Sequence, residues 1–408
     1  MTDPKRLKSQ ELLSMGHWET KAEVLDVAKN QKKLFIGIPA ESTLQENRVA
    51  LIPSSVATLV GNGHRVVVET GAGENSNFSD NAYSEVGAEI VHSREEVFNA
   101  DCLIKVAPPT LDEIELLHPN QMLISPLHLP YLTENYLIRL KQKRVIALAM
   151  EYLQDRDGSF PVVRIMSEIA GINAILTAAE LLSTTGGGNG VLLGGISGVP
   201  PARVVILGAG VLAEYATMSA LGLGATVSIF DNNIYKLMRL QNRLGRKLYT
   251  SVLNPVYLEQ ELVQADVAIG AIHSKLGRTP IVVSEDLVNK MKPGAVIVDV
   301  SIDQGGCFAT SEVTSHERPT FKKHDVIHYC VPNLSSKVSR TASAAISNIL
   351  TPILLKAGET TSIEQLFFHQ QGLRHGIYTY KGCLTNEYLA QRFQIKYTDL
   401  DLLLTANI

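Results

Sequence analysis

At 408 residues the chain exceeds the roughly 250–300 residues at which one hydrophobic core stops growing, so two domains are expected. Hydrophobic residues make up 45% and charged residues 19%, which excludes a largely disordered chain, and a net charge of −4 offers a polyanion such as nucleic acid nothing to bind. Cys102, Cys307, Cys330 and Cys383 stand far apart with no C-x-x-C pair, which argues against a zinc site or disulfide scaffold and for a reducing compartment.

Residues 1–33 read as a polar, helix-prone lead-in without the apolar stretch of a secretory signal. No run of about 18 apolar residues is free of charge or breakers, so the sequence predicts a cytoplasmic protein without a membrane span. A first strand is predicted at Lys33-Leu-Phe-Ile-Gly-Ile-Pro. Short apolar runs follow at Arg65–Glu69, Cys102–Val106, Gln121–Ser125 and Arg144–Met150, each separated by a helical or loop segment. That alternation is the signature of βα units on a parallel sheet. A helix is predicted over Ser167–Leu182, then a glycine-rich breaker from Thr184 to Gly190. A second βα series runs through Arg203–Leu207, Thr226–Phe230, Asp266–Gly270 and Ala295–Val300, and an apolar helix over Ala342–Leu355 is expected to return to the first domain. The expected boundaries are 1–161 with 340–408 for a discontinuous substrate domain and 162–339 for a dinucleotide-binding domain.

Two Gly-Ala-Gly triplets differ physically. Gly71-Ala72-Gly73 has Ser76 at the third fingerprint position and turn residues beyond it, so it reads as a strand-ending turn. The second joins the strand Val204–Leu207 directly to Gly208-Ala-Gly210-Val-Leu-Ala213 and a helix-forming segment. Gly208 permits the tight turn, Gly210 lets backbone approach a pyrophosphate, and Ala213 allows close packing of a helix whose N-terminus attracts phosphate. Asp231, 18 residues past Ala213, ends the next strand and suits a ribose 2′-hydroxyl, so NAD is preferred over NADP.

Further motifs carry a family resemblance. Ile36-Gly-Ile-Pro with Glu46-Asn-Arg48-Val-Ala-Leu, Met166-Ser-Glu-Ile-Ala-Gly171, the fingerprint, Val298-Asp-Val-Ser-Ile-Asp303-Gln-Gly-Gly-Cys307 and His328-Tyr-Cys-Val-Pro-Asn333 together resemble the alanine dehydrogenase and pyridine nucleotide transhydrogenase family. The resemblance implies two Rossmann-like, doubly wound parallel-sheet domains of the α/β class with the active site in the cleft between them. It also implies reversible, NAD-dependent oxidative deamination of L-alanine, or of a closely related small amino acid, to a 2-oxo acid and ammonia. By the same resemblance Arg48 binds the substrate carboxylate, His128 and Asp303 are catalytic, Asn333 and Gln304 lie by nicotinamide and substrate, and Ser167 and Lys236 touch the cofactor. A homo-oligomer is implied, hexameric for the dehydrogenases and dimeric for the transhydrogenase subunit. Arg48 and His128 also stand on their own chemistry, a planar guanidinium suiting a carboxylate and an imidazole titrating near neutrality. The remaining histidines have no ligand spacing, and no metal centre is expected.

One segment departs from the pattern. The dehydrogenase signature Lys-Val-Lys-Glu-Pro reads Lys105-Val-Ala107-Pro108-Pro109 here, so a lysine that binds substrate in the family is an alanine. Lys105 remains as a candidate substrate contact, although strand alternation turns it away from the face of position 107. Two further readings stay open: a transhydrogenase-like NAD(H) subunit passing hydride to NADP on a partner, and a non-catalytic NAD-binding protein.

Overall fold

The computed structural model describes residues 33–405 apart from 44, 130–131, 275–276 and 361–362. The expected N-terminal lead-in therefore lies, but for its last residue, outside the described residues. Strands β1 (Phe35–Ile38), β2 (Arg65–Glu69), β3 (Glu89–Val91), β4 (Cys102–Ile104), β5 (Met122–Ser125) and β6 (Ile146–Ala149) form the parallel part of one sheet. A second sheet holds β7 (Arg203–Leu207), β8 (Thr226–Phe230), β9 (Tyr249–Ser251), β10 (Val267–Gly270), β11 (Val296–Asp299), β12 (Thr320–Lys323) and β13 (Val326–Tyr329). Only β12 runs antiparallel within it. The chain then returns to the first sheet, where β14 (Ile377–Tyr380) and β15 (Cys383–Leu384) add an antiparallel edge beyond β6.

Strand order in the first sheet is β15-β14-β6-β5-β4-β1-β2-β3, and in the second β12-β13-β11-β10-β7-β8-β9. Each is a doubly wound α/β sheet buried on both faces, which is why its strands read as unbroken apolar runs rather than alternating ones. Val66 and Val68 point into one core and Val67 into another, as do Val204 and Ile206 against Val205 and Leu207. The short strands β3 and β9 were not anticipated. Each has three half-buried or exposed residues at or near a sheet edge, too few for a periodic signal.

Three helices matter for the site. Helix α1 (Pro161–Leu182) begins six residues before the predicted start, because Pro161 fits the first helical position, where no amide hydrogen is needed. By length and composition α1 is apolar enough to cross a membrane, as the core helix of a globular domain can be, although it carries Arg164, Glu168 and Glu180. Its Ala170, Ala174, Ile175 and Ala178 are instead buried against helix α2 (Val211–Gly222) and the second sheet. A Cβ at Gly171 would stand 2.4 Å from the Leu212 carbonyl oxygen, so only glycine permits this crossing. Helix α3 (Ser339–Glu359) outruns its prediction at both ends and continues through Pro352, burying Ile346, Leu350 and Leu354 against the first sheet.

Candidate active site

The carboxyl ends of the strands carry the residues singled out by sequence. In open α/β sheets this edge is where ligands bind, because loops there are free to vary while the strands stay fixed. At the end of β7, Gly208 has φ +115°, and a Cβ there would meet the Ala271 carbonyl oxygen at 2.4 Å. Gly210 caps α2, and a Cβ on it would meet nothing within 4 Å, leaving open space before the helix N-terminus. Ala213 is fully buried under that turn. These residues could hold a pyrophosphate, with open space at Gly210 before the helix N-terminus. Asp231 follows β8 and already holds the turn, one oxygen accepting the Ala209 amide at 2.8 Å and the other that of Asn233 at 2.7 Å. Lys236 Nζ lies 3.9 Å from the same carboxylate. Ser167 donates its hydroxyl back to the Val163 carbonyl at 2.8 Å on α1.

Away from the glycine turn, Arg48 and Glu46 are two residues apart in the segment after β1, and their side chains meet. Arg48 grips Glu46 with a fork of two hydrogen bonds, Nε at 2.7 Å and Nη2 at 2.6 Å, and both groups are buried. Its Nη1 lies 3.0 Å from the Met166 sulfur. Burial pushes the Glu46 carboxyl up, but the Arg48 charge and hydrogen bonds, with the Asn333 amide, hold it below the usual range. Asn333, in the left-handed region at φ +58°, donates Nδ2 to Glu46 at 2.7 Å and its backbone amide to Asp303 at 3.2 Å. One asparagine thus ties the segment beside the first sheet to the turn that follows β11.

Asp303 sits on a 3₁₀ turn, Val300–Gln304, and burial raises its carboxyl to about 6 against the pull of the Asn333 amide and Arg48. His128 stands three residues beyond β5 and falls below its ordinary pKa, first through burial and then through Arg48, so its imidazole is neutral at pH 7. Gln304 turns away from this group. Its side chain accepts from the Ser274 amide at 2.9 Å, donates to the Ser274 carbonyl at 3.0 Å and lies 3.0 Å from His273 Nδ1, closing the loop after β10.

Lys105 lies elsewhere. Its ammonium is wholly buried, 3.0 Å from Glu41 and 3.3 Å from Glu113, with Arg94 also on Glu113 at 2.8 Å. The charge expected to meet a substrate is spent on the protein's own carboxylates, and the neighbouring Ala107 is buried as well. Removing one partner of a buried pair strands the other, so Lys105→Met is expected to cost about 3–5 kcal/mol in denaturant unfolding and leave the substrate KM unchanged. A raised KM with native stability would return Lys105 to the substrate site. Two residues escaped the sequence reading. Glu46 could have been found from its i, i+2 spacing to Arg48, but Glu151, whose carboxyl lies against the amide of His128, had no local signal.

Family models for the alanine dehydrogenase/PNT N-terminal and C-terminal domains match residues 37–170 and 174–387. The chain belongs to the alanine dehydrogenase/PNT family. It is 40% identical to alanine dehydrogenase 2 of Staphylococcus aureus over 367 residues, which are 90% of this chain and 98% of that protein. Among solved structures, an L-alanine dehydrogenase superposes with a TM-score of 0.82 at 36% identity, covering 88% of this chain and 99% of that one. A transhydrogenase from Sinorhizobium meliloti superposes at 0.73 with 24% identity, which speaks for the fold. The alanine dehydrogenase/PNT motifs that sequence singled out thus come from both sheets and converge on Glu46, Arg48, Asn333 and Asp303.

Proposed function

We propose that the protein is an NAD-dependent amino-acid dehydrogenase that oxidises L-alanine, or a closely related small amino acid, to the 2-oxo acid and ammonia, reversibly. The observation that carries this reading is the continuous link from Arg48 through Glu46 and Asn333 to Asp303, with a neutral His128 within electrostatic reach of Arg48. A non-catalytic binder has no need of a buried carboxyl raised to about 6 beside an arginine fork. NAD, seated on the Gly208–Ala213 turn, supplies the hydride acceptor. Asp231 receives the adenosine ribose, and Lys236 stands beside it. Arg48 takes the substrate carboxylate by sharing or exchanging its fork with Glu46. Asp303, ionised, stabilises the positive charge that develops as the substrate becomes an iminium. His128 takes a proton from the water that adds to that carbon and returns it to the departing ammonia. With boundaries of 1–161 with 340–408 and 162–339, the residues come from both parts, and the hydrogen bonds of Asn333 to Glu46 and Asp303 span them. Exposed Leu176, Met218, Leu192 and Ile196 support the homo-oligomer that the family resemblance implies.

The deciding experiment measures NADH formation by purified protein with NAD and a panel of small L-amino acids, and the reverse with pyruvate and ammonia. Turnover of alanine sustains the proposal; turnover of another acid alone moves the specificity to the missing lysine at Ala107. NADH binding without turnover of any acid would replace the proposal with a transhydrogenase-like or binding role. The cofactor assignment has its own consequence. Asp231→Ala is expected to weaken NAD about 10-fold and to narrow the preference over NADP, since the carboxylate repels a 2′-phosphate. An unchanged NAD/NADP ratio of kcat/KM would remove Asp231 from the ribose site.

A further inference from the structure

We propose that Glu151 is a positioning residue for the reaction: its Oε1 clamps the amides of Leu127 and His128 and so holds the turn that presents the His128 imidazole to the cleft. The inference rests on the reading of His128 as the acid–base group. Strands β5 and β6 are parallel with Ser125 opposite Ala149, so two residues beyond the sheet edge the chain brings Glu151 level with Leu127. Glu151 lies there on a short 3₁₀ turn, Met150–Tyr152, and its Oε1 accepts the Leu127 amide at 2.8 Å and the His128 amide at 3.3 Å. His128 has φ +52°, a left-handed conformation that a residue with a Cβ adopts only where its surroundings impose it. A single carboxyl oxygen spanning two successive amides is such an imposition.

The carboxyl is not there for an ion pair. Its Oε2 is buried and has no hydrogen-bond partner among the described residues. The titratable groups around it are phenols: Tyr136 on the helix Glu134–Lys143, Tyr378 on β14 and the adjacent Tyr152, each pushed up by burial and further by the Glu151 charge. Burial holds Glu151 itself at about 7 even with its backbone hydrogen bonds. The charged groups that face the imidazole are Arg48 and Glu46, so Glu151 acts on His128 through the backbone. A carboxyl kept in so unfavourable a place, with one oxygen committed to the catalytic turn, is explained by what that oxygen holds.

The test compares Glu151→Ala with Glu151→Gln, which keeps a carbonyl acceptor of the same reach. Glu151→Ala is expected to lower kcat about 30- to 100-fold, because small displacements of a reacting group cost that much, with KM and NADH affinity within about threefold. Glu151→Gln is expected to retain kcat within about threefold. A Glu151→Ala enzyme with native kcat, an equal loss in both variants, or a loss carried wholly by KM would overturn the clamp. A second readout needs no turnover: acylation of His128 by diethyl pyrocarbonate, followed by mass spectrometry of its peptide. The rate is expected to change in Glu151→Ala and to match the native protein in Glu151→Gln. If the native protein oxidises no amino acid, the functional proposal fails, and these rates still decide the clamp; equal rates in all three proteins would overturn it.

Discussion

Replacing His128 by alanine or Asp303 by asparagine is expected to lower kcat about a thousandfold while NADH affinity stays within about twofold, the range for loss of an acid–base or charge-stabilising group. The two residues stand beyond β5 and β11, clear of the glycine turn after β7, so their chemistry is separable from cofactor binding. Stopped-flow turnover together with NADH fluorescence titration reads both quantities; equal loss of NADH binding would sink the role assignment. The pH profile follows from the same pair. Asp303 lies at about 6, so kcat/KM is expected to fall below about pH 6 as its carboxylate takes up a proton, and His128, held below its usual value, loses its neutral form on the same acidic side. Stability moves the opposite way. Asp303's folded pKa is raised above its unfolded value, so the proton it holds stabilises the fold fully at pH below about 4, and this contribution is lost as pH rises through about 6.

The second large effect belongs to Arg48. Arg48→Ala is expected to raise the substrate KM about 100-fold, the equivalent of about 3 kcal/mol for two charge-assisted hydrogen bonds to a carboxylate. It also leaves Glu46 buried without its cation, at a cost of about 3–5 kcal/mol in unfolding free energy. The two consequences are separable. Adding Glu46→Gln to Arg48→Ala is expected to recover most of the stability and none of the KM. Recovery of both would mean that the arginine serves only its internal partner. Because Arg48 helps hold Asp303 down against burial, its removal is further expected to shift the acidic limb of the pH profile to higher pH.

Much of the fold was legible in the chain. Apolar runs marked β1, β2, β4, β5, β6, β7, β8, β10 and β11, because strands buried on both faces must be apolar throughout. Edge strands β3, β9, β12 and β15 were not legible, being two to four residues paired on one side and partly exposed, nor were β13 and β14, whose four residues, though buried and paired on both sides, are too few to carry a period. The Gly208–Ala213 turn was legible down to single residues, since φ +115° and a 2.4 Å approach at Gly208 leave no other side chain room. The surroundings of Lys105 were not legible, for a definite reason. A lysine next to a motif looks like a free cation until Glu41 and Glu113, 64 and 8 positions away, are seen to enclose it.

What the sequence determined alone is local: the two βα series, the tight glycine turn after β7, and which residue types bear chemistry. What only tertiary structure decided is how Arg48 and His128 are held. The segment that carries Arg48 is strung along one face of α3 and the turn before it, with the Asn47, Val49 and Ile52 amides donating to the hydroxyls of Ser336, Ser343 and Ser347. These partners lie nearly 300 residues downstream, and no local pattern signals such a ladder. His128 owes its left-handed turn to Glu151 on the neighbouring strand's end, a partner fixed by the register of β5 and β6. Hydrogen bonds between distant segments are chosen by packing. Sequence shows the groups that can make them, and the fold selects the pairs.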